Sequence, residues 1–314
     1  MKPRRAAGIL PQGLLFPALL LAGVGGCASS PTPELAAAAP TDTTAAEVPQ
    51  VGPAHGALVL AGGGQLDEAV WERFVELAGG RDARIVVLPT ANTDRGLTEG
   101  VSAVDYLRKA GARDLVVLHT RDRREADSEE FVEPLTQATG VWIPGGRQWR
   151  LVDAYLHTRT HRELFKVLER GGVVGGTSAG ASIQASYLAR GDPRTNEILM
   201  APGYEEGFGF LSGAAVDQHL LARNRQNDLW ELLQLRPSIL GIGVDEGTAV
   251  VVKGDRAKVV GPSRVVIYDG LDPERRPVLM GDGDVYDLGE RDLIRGQAQD
   301  ELQIQFDPEL DPYW

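Results

Sequence analysis

Gly171-Gly172-Val173-Val174-Gly175-Gly176-Thr177-Ser178-Ala179-Gly180 carries a short apolar strand, a sharp turn and the start of a helix within ten residues. Gly171 to Val174 fits a buried strand, and Ala181-Ser182-Ile183-Gln184-Ala185 can open the helix that follows. Between them Gly176-Thr177-Ser178-Ala179-Gly180 is Gly-x-Ser-x-Gly, a pattern that forces a serine onto an exposed strand-to-helix corner. A hydroxyl at such a corner can meet a base, and the backbone N–H of Ala179 can face an oxyanion. A glycine-rich turn without chemistry explains the same residues equally well, so the choice falls to partners elsewhere in the chain.

Outward from this turn, β-branched runs at Ala57–Ala61, Ala83–Pro89, Asp114–His119, Val141–Pro144, Gly172–Gly176 and Ile239–Asp245 predict strands. Several are almost continuously apolar, as strands covered on both faces of a parallel sheet must be. Helical patterns at Glu68–Ala78, Leu97–Ala110, Glu129–Ala138, Arg150–Tyr155, Arg162–Arg170 and Leu220–Leu235 alternate with them. Ser128 is placed to cap the helix at Glu129. The alternation predicts an α/β fold, a doubly wound and mostly parallel sheet flanked by helices. After Gly247, Val-rich segments separated by turns predict a small antiparallel C-terminal extension.

The N-terminal region has a different texture. Lys2, Arg4 and Arg5 precede an apolar stretch from Leu14 to Val24 and then Gly25-Gly26-Cys27, the layout of a secretory signal ending in a lipobox. Residues 1–27 are therefore expected to be a leader with Cys27 as the lipidated residue. Residues 28–54, rich in Ala, Pro, Thr and Ser, are expected to be a disordered tether. Residues 55–314 form the folded domain. The expected location is the cell envelope, with the chain exported across the inner membrane and held by a lipid on the periplasmic or outer-membrane side. Formal net charge is −12, from 32 basic and 44 acidic residues with no basic cluster, which argues against a nucleic-acid surface. Cys27 is the only cysteine, so the domain after it has no disulfide and no thiolate to bind a metal or attack a substrate.

In open α/β sheets ligands gather at the carboxyl ends of strands. The polar residues there are Gln148 after Gly145-Gly146, Ser178, the run Asp217-Gln218-His219, and Asp245-Glu246. A serine nucleophile needs a base, usually histidine. His219 follows a buried-looking run and has the best context, and His119 competes. His157 and His161 stand four apart but lack the H-E-x-x-H glutamate and a third ligand, so no metal site is expected. An imidazole base needs an acid to hold its tautomer. Glu246, Asp217 and Asp245 all qualify on position, with Asp245 expected to point away from Glu246 because side chains alternate along a strand.

Four stretches in register resemble cyanophycinases and their relatives, which include aspartyl dipeptidases. They are Gly175–Ala181, Ile143–Gln148, Asp217-Gln218-His219 with Arg223 and Arg225, and Gly241–Ala249, and the likeness runs from about Leu58 to Val252. The resemblance implies a fold similar to class I glutamine amidotransferases with serine in place of their cysteine. It implies a triad of Ser178, His219 and Glu246, and an oxyanion hole from the N–H groups near Gly146 and at Ala179. It further implies substrate contacts from Gln148, Asp217, Gln218, Arg223 and Arg225, an aspartyl peptide or cyanophycin-like substrate, no cofactor, and a homodimer. Arg147 and Asp228 depart from the pattern by reversing charge, Arg147 standing where the family commonly has Asp and Asp228 where it has an arginine.

The expected function is hydrolysis of a peptide or isopeptide bond beside an aspartyl residue through an acyl-enzyme on Ser178. A lipase-type serine hydrolase is one alternative. Its chain order of Ser, acid, His would require Asp192, Glu205 or Asp217 to serve as the acid. A glutamine amidotransferase lacks its thiol here, and a catalytically silent envelope protein that binds acidic peptides is the remaining alternative.

Overall fold

The computed structural model describes residues 50–98, 102–272 and 276–295. The expected leader, Cys27 and nearly all of the expected tether lie outside the described residues, as does the chain from 296 onward. The strands are β1 (Ala57–Ala61), β2 (Arg84–Val87), β3 (Asp114–Val117), β4 (Gly140–Ile143), β5 (Val173–Thr177), β6 (Ala185–Tyr187) and β7 (Leu211–Gln218). They continue with β8 (Leu240–Val244), β9 (Ala249–Lys253), β10 (Arg256–Val260), β11 (Val265–Asp269), β12 (Val278–Met280), β13 (Val285–Asp287) and β14 (Asp292–Arg295). The helices are α1 (Glu68–Leu77), α2 (Asp94–Thr98), α3 (Ser102–Lys109), α4 (Arg123–Ala126), α5 (Glu129–Thr136), α6 (Gln148–Tyr155), α7 (Arg159–Glu169), α8 (Ala179–Ser182) and α9 (Asp228–Leu235).

Among the described residues the strands form two sheets, in the orders β14-β13-β10-β9-β1-β5-β4-β2-β3 and β12-β11-β8-β7-β6. The neighbours β1, β5, β4, β2 and β3 all pair in parallel, with Leu60 and Ile143 both opposite Gly176 of β5. This is the predicted α/β core. All residues of β1 and β4 are buried, which is why their sequences are apolar without alternation. Val70, Trp71, Phe74 and Val75 of α1 pack against the sheet, and Asp67 caps that helix by accepting from Ala69 N–H. Ser128 caps α5 through Phe131 N–H, as its position predicts.

The second sheet is the main departure from expectation. β6, β7 and β8 pair in parallel, β11 and β12 add antiparallel, and α8 packs between β5 of one sheet and β7 of the other. Every residue of α8 is buried. The helix approaches β4 so closely that a Cβ on Gly180 would stand 1.8 Å from the Ile143 carbonyl oxygen. The C-terminal extension is antiparallel as expected, but it divides: β9, β10, β13 and β14 lengthen the first sheet and β11 and β12 the second. Large core side chains such as Leu58, Leu60 and Ile143 are completely buried, each contributing about 1.5–3 kcal/mol. The helix expected over Leu220–Leu235 forms only from Asp228. The Asp245 carboxylate takes the N–H groups of Leu221 and Ala222 (2.9 Å each), and positive φ at His219 and Asn224 interrupts the helical path. The pattern at Leu97–Ala110 is shared between α2 and α3.

Candidate active site

Ser178 follows β5 with φ 54° and ψ −116°, a conformation costing of order 1–3 kcal/mol for a residue with a side chain. Its backbone is held on both sides: Ser178 N–H donates to the Ala61 carbonyl, and its own carbonyl accepts from Ala181 and Ser182. His219 stands at the end of β7 and Glu246 just beyond β8, both in the other sheet. His219 Nε2 lies 3.0 Å from Ser178 Oγ, and His219 Nδ1 lies 2.5 Å from Glu246 Oε1. With Nδ1–H donating to the carboxylate, Nε2 is left to accept the serine proton.

The three residues meet at the turn that leaves β1. Gly62 carbonyl accepts from His219 N–H, Gly62 N–H donates to Thr248, and Gly63 carbonyl accepts from Gly247 N–H beside Glu246. A Cβ on Gly63 (φ +119°) would fall 2.2 Å from His219 Cε1, and one on Gly64 (φ +65°) 2.5 Å from Glu246 Oε2. These glycines leave room for the imidazole and the carboxylate to stand against the strand end. Asp245 points the other way, as alternation predicts, and accepts from Ser263 Oγ as well as from Leu221 and Ala222 N–H. It fixes the turn that begins at His219.

On the other side of Ser178 lies the β4 turn, where a Cβ on Gly145 would stand 3.7 Å from Ser178 Oγ. Among the described residues neither Gly146 N–H nor Ala179 N–H has a protein acceptor. Each of these donors is thus open to a ligand oxygen.

The five residues expected to touch substrate separate by burial. Arg223 is exposed, while Gln148, Gln218 and Arg225 are buried, the last two bonded to each other. Gln148 Nε2 donates to the Ala189 carbonyl, and Arg225 Nη1 donates to both the carbonyl and Oε1 of Gln218. Asp217 requires a correction. It is fully buried, and its two oxygens accept from Nε and Nη2 of Arg190 at 2.7 and 2.8 Å, so it holds Arg190 and does not face the cleft. Arg190 also pairs with Asp228. Burial alone would lower the Arg190 pKa, but the hydrogen bonds and charge of Asp217 and then Asp228 raise it. Arg223 and Arg225 bear on the imidazole electrostatically. Burial pushes the His219 pKa below 6.5, the Glu246 hydrogen bond opposes this, and both arginines push it down further.

The other histidines stand apart. His119 Nδ1 is 2.8 Å from Thr90 Oγ1, beyond β3 at the edge of the sheet. His157 Nε2 reaches Glu206 and His161 Nε2 reaches the Phe208 carbonyl. The lipase-like chain order is left without its acid: Asp192 is bonded by Arg194, Glu205 by Tyr187 and Asp217 by Arg190, while Glu246 occupies His219 Nδ1. Gly63, Gly64 and Arg190 were not singled out by sequence reasoning. The triple glycine after a strand was a visible signal for the first two. Arg190 gave none, because its partners are 27 and 38 residues away in sequence.

Residues 58–260 match the profile of peptidase family S51. A cyanophycinase from Geminocystis herdmanii is 34% identical over 223 residues, spanning 68% of this chain and 80% of that protein. A cyanophycinase from Synechococcus elongatus is 33% identical over 225 residues, spanning 69% of this chain and 70% of its own. The crystal structure of a peptidase from an acI-B1 actinobacterium superposes with a TM-score of 0.59 at 23% identity, covering 76% of this chain and 97% of the other. That last likeness bears on the fold alone, which is of the class I glutamine amidotransferase-like type.

Proposed function

Because the chain belongs to peptidase family S51, whose members are serine-type peptidases, we infer that Ser178, His219 and Glu246 act as its triad on a bond beside an aspartyl residue. The observation that carries this reading is the unbroken run from Ser178 Oγ through the His219 ring to Glu246 at 3.0 and 2.5 Å. The N–H groups of Gly146 and Ala179, which have no acceptor among the described residues, support the same reading.

In this mechanism Ser178 Oγ attacks the scissile carbonyl carbon while its proton passes to His219 Nε2. The oxyanion is received by Gly146 and Ala179 N–H, and Glu246 stabilises the imidazolium through Nδ1–H. Collapse of the tetrahedral intermediate breaks the C–N bond, and His219 returns the proton to the departing amine. Water then attacks the acyl ester with His219 again as base, and Ser178 regains its proton. Exposed Arg223 is the first candidate to receive the aspartyl carboxylate.

The test is a mass-spectrometric screen of aspartyl and isoaspartyl dipeptides and of a cyanophycin-like polymer. Cleavage beside aspartate is the expected result; cleavage confined to short acyl esters would reject the aspartyl reading. A pH prediction follows from the site's charges. The base must be neutral, and His219 titrates below 6.5 partly because Arg223 and Arg225 disfavour its charged form. The acid limb of kcat/KM should therefore have its midpoint below 6.5. Arg223→Gln removes one of the charges that lower the pKa and should move that midpoint to higher pH; an unmoved midpoint would separate Arg223 from the imidazole.

We place the enzyme in the cell envelope on the strength of the Gly25-Gly26-Cys27 segment. Cys27→Ala should abolish incorporation of labelled fatty acid and shift the protein from the membrane fraction to the soluble one. Equal labelling of the variant and the wild type would refute the anchor.

A further inference from the structure

Strand order places two walls around Ser178. β1 lies on one side of β5, where its terminal glycines hold His219, and β4 lies on the other, leading through Gly145 and Gly146 to Arg147. The His219 wall carries Arg223 and Arg225. The β4 wall carries a second, separate set of cations, Arg147 and Arg150, in a chain whose net charge is −12.

Arg147 is half-buried, and its guanidinium is incompletely engaged. Nη2 donates to the Asp192 carbonyl at 2.7 Å, while Nε is buried without a partner. Among the described residues no carboxylate pairs with it, and the Asp192 carboxylate is turned to Arg194 and to the N–H groups of Arg194 and Thr195. Among the described residues Arg150 forms no ion pair either, although the Asp94 charge acts on it from nearby and raises its pKa. Its Nη1 donates to the Ala91 and Asn92 carbonyls, and Arg147 is among the charges that lower its pKa, after burial and Arg121. Burying part of a guanidinium with an unused N–H beside another cation is unfavourable unless an anion arrives. Arg190, by contrast, has two carboxylate partners, so acids were available to this region of the fold and were not placed at Arg147.

We propose that Arg147 receives a second carboxylate of the substrate, on the side of the scissile bond opposite the group held by Arg223. The substrate would then be acidic on both sides of the bond, and an arginyl or lysyl residue in the Arg147 position would be disfavoured. The proposal rests on the aspartyl peptidase reading and narrows it. The second carboxylate can be a side chain or a free α-carboxylate, and both present the same planar acceptor to the guanidinium fork.

The experiment compares Asp-Asp-amide, Asp-Ala, Asp-Ala-amide and Asp-Arg-amide, with each aspartyl residue joined through either its α- or its β-carboxyl group. The expected kcat/KM is roughly 10- to 100-fold higher for substrates carrying a second carboxylate than for Asp-Ala-amide, with Asp-Arg-amide the poorest. Preference for Asp-Asp-amide over Asp-Ala would assign the group to a side chain, and the reverse to the terminal carboxylate. Arg147→Gln should erase the preference with little effect on Asp-Ala-amide, and Arg147→Asp should favour Asp-Arg-amide. Equal turnover of Asp-Asp-amide and Asp-Arg-amide by the wild type, or a uniform loss for all substrates in Arg147→Gln, would overturn the proposal. Calorimetric binding of the same peptides to Ser178→Ala separates the two readings. If no peptide is cleaved but carboxylate-dependent binding remains and is lost in Ser178→Ala/Arg147→Gln, the aspartyl hydrolysis reading fails alone. Binding indifferent to the second carboxylate defeats the Arg147 proposal.

Discussion

Ser178→Ala is expected to lower kcat by roughly 10⁴- to 10⁶-fold on any substrate the enzyme accepts, with the thermal midpoint changed by only a few degrees. The large kinetic effect follows from removing the atom that forms the acyl bond. The small effect on stability follows from what the substitution leaves in place. Alanine keeps the Cβ, so the strain at φ 54° and the backbone bonds to Ala61, Ala181 and Ser182 are unchanged. Only the Oγ contact with His219 Nε2 is lost, a hydrogen bond with a net value of about 1 kcal/mol. His219→Ala should produce a loss of similar size, and the double variant little more than either single one, because the groups act in one proton transfer. Residual activity in Ser178→Ala within tenfold of the wild type, in protein purified free of other hydrolases, would remove Ser178 from the chemistry.

The serine corner and the parallel core were legible in the sequence because each depends on short stretches of chain. β5 and its turn are contiguous, and continuous apolar runs such as Ala57–Ala61 can be satisfied only by burial on both faces. The division into two sheets was not legible. Ile239–Val244 and Val141–Ile143 are equally apolar, and nothing in their periodicity says which neighbour each will pair with. Residues chosen by local context therefore separated in the fold. His119 ends a strand as convincingly as His219 does, yet β3 is three places from β5 in the sheet. Asp217 adjoins the Gln218-His219 pair in sequence, but Arg190 draws its carboxylate into the interior. That buried arginine spans Asp217 and Asp228, giving the reversed charge at Asp228 a cation partner that no sequence spacing announces.

The turn after β1 explains how residues from two sheets can be held to hydrogen-bonding distance, and it leads to the second large expected effect. Gly63→Ala should reduce kcat by about 10²- to 10³-fold. An alanine Cβ at φ +119° would stand 2.2 Å from His219 Cε1, 2.6 Å from Nε2 and 2.7 Å from Nδ1. Relief requires the ring to move by roughly 1 Å, a displacement that costs about 10²-fold in a positioned reaction. His219 has little freedom to adapt, since its own N–H is bonded to the Gly62 carbonyl and its ring is fixed at both nitrogens. The hydrogen-bonded Nδ1 proton should change its NMR shift or disappear in this variant. Gly64→Ala should have a smaller effect on kcat, because its Cβ would meet Glu246 (Oε2 at 2.5 Å, Cβ at 2.9 Å) and not the imidazole that transfers the proton. Gly111→Ala supplies the control for backbone strain: its φ is +102°, but nothing lies within 4 Å of the added Cβ. That variant should lose stability while keeping kcat. If Gly63→Ala lost no more activity than Gly111→Ala, the imidazole would not depend on this turn for its position. Its placement would then have to come from the Asp245-capped turn that follows it, through the bonds to Leu221 and Ala222.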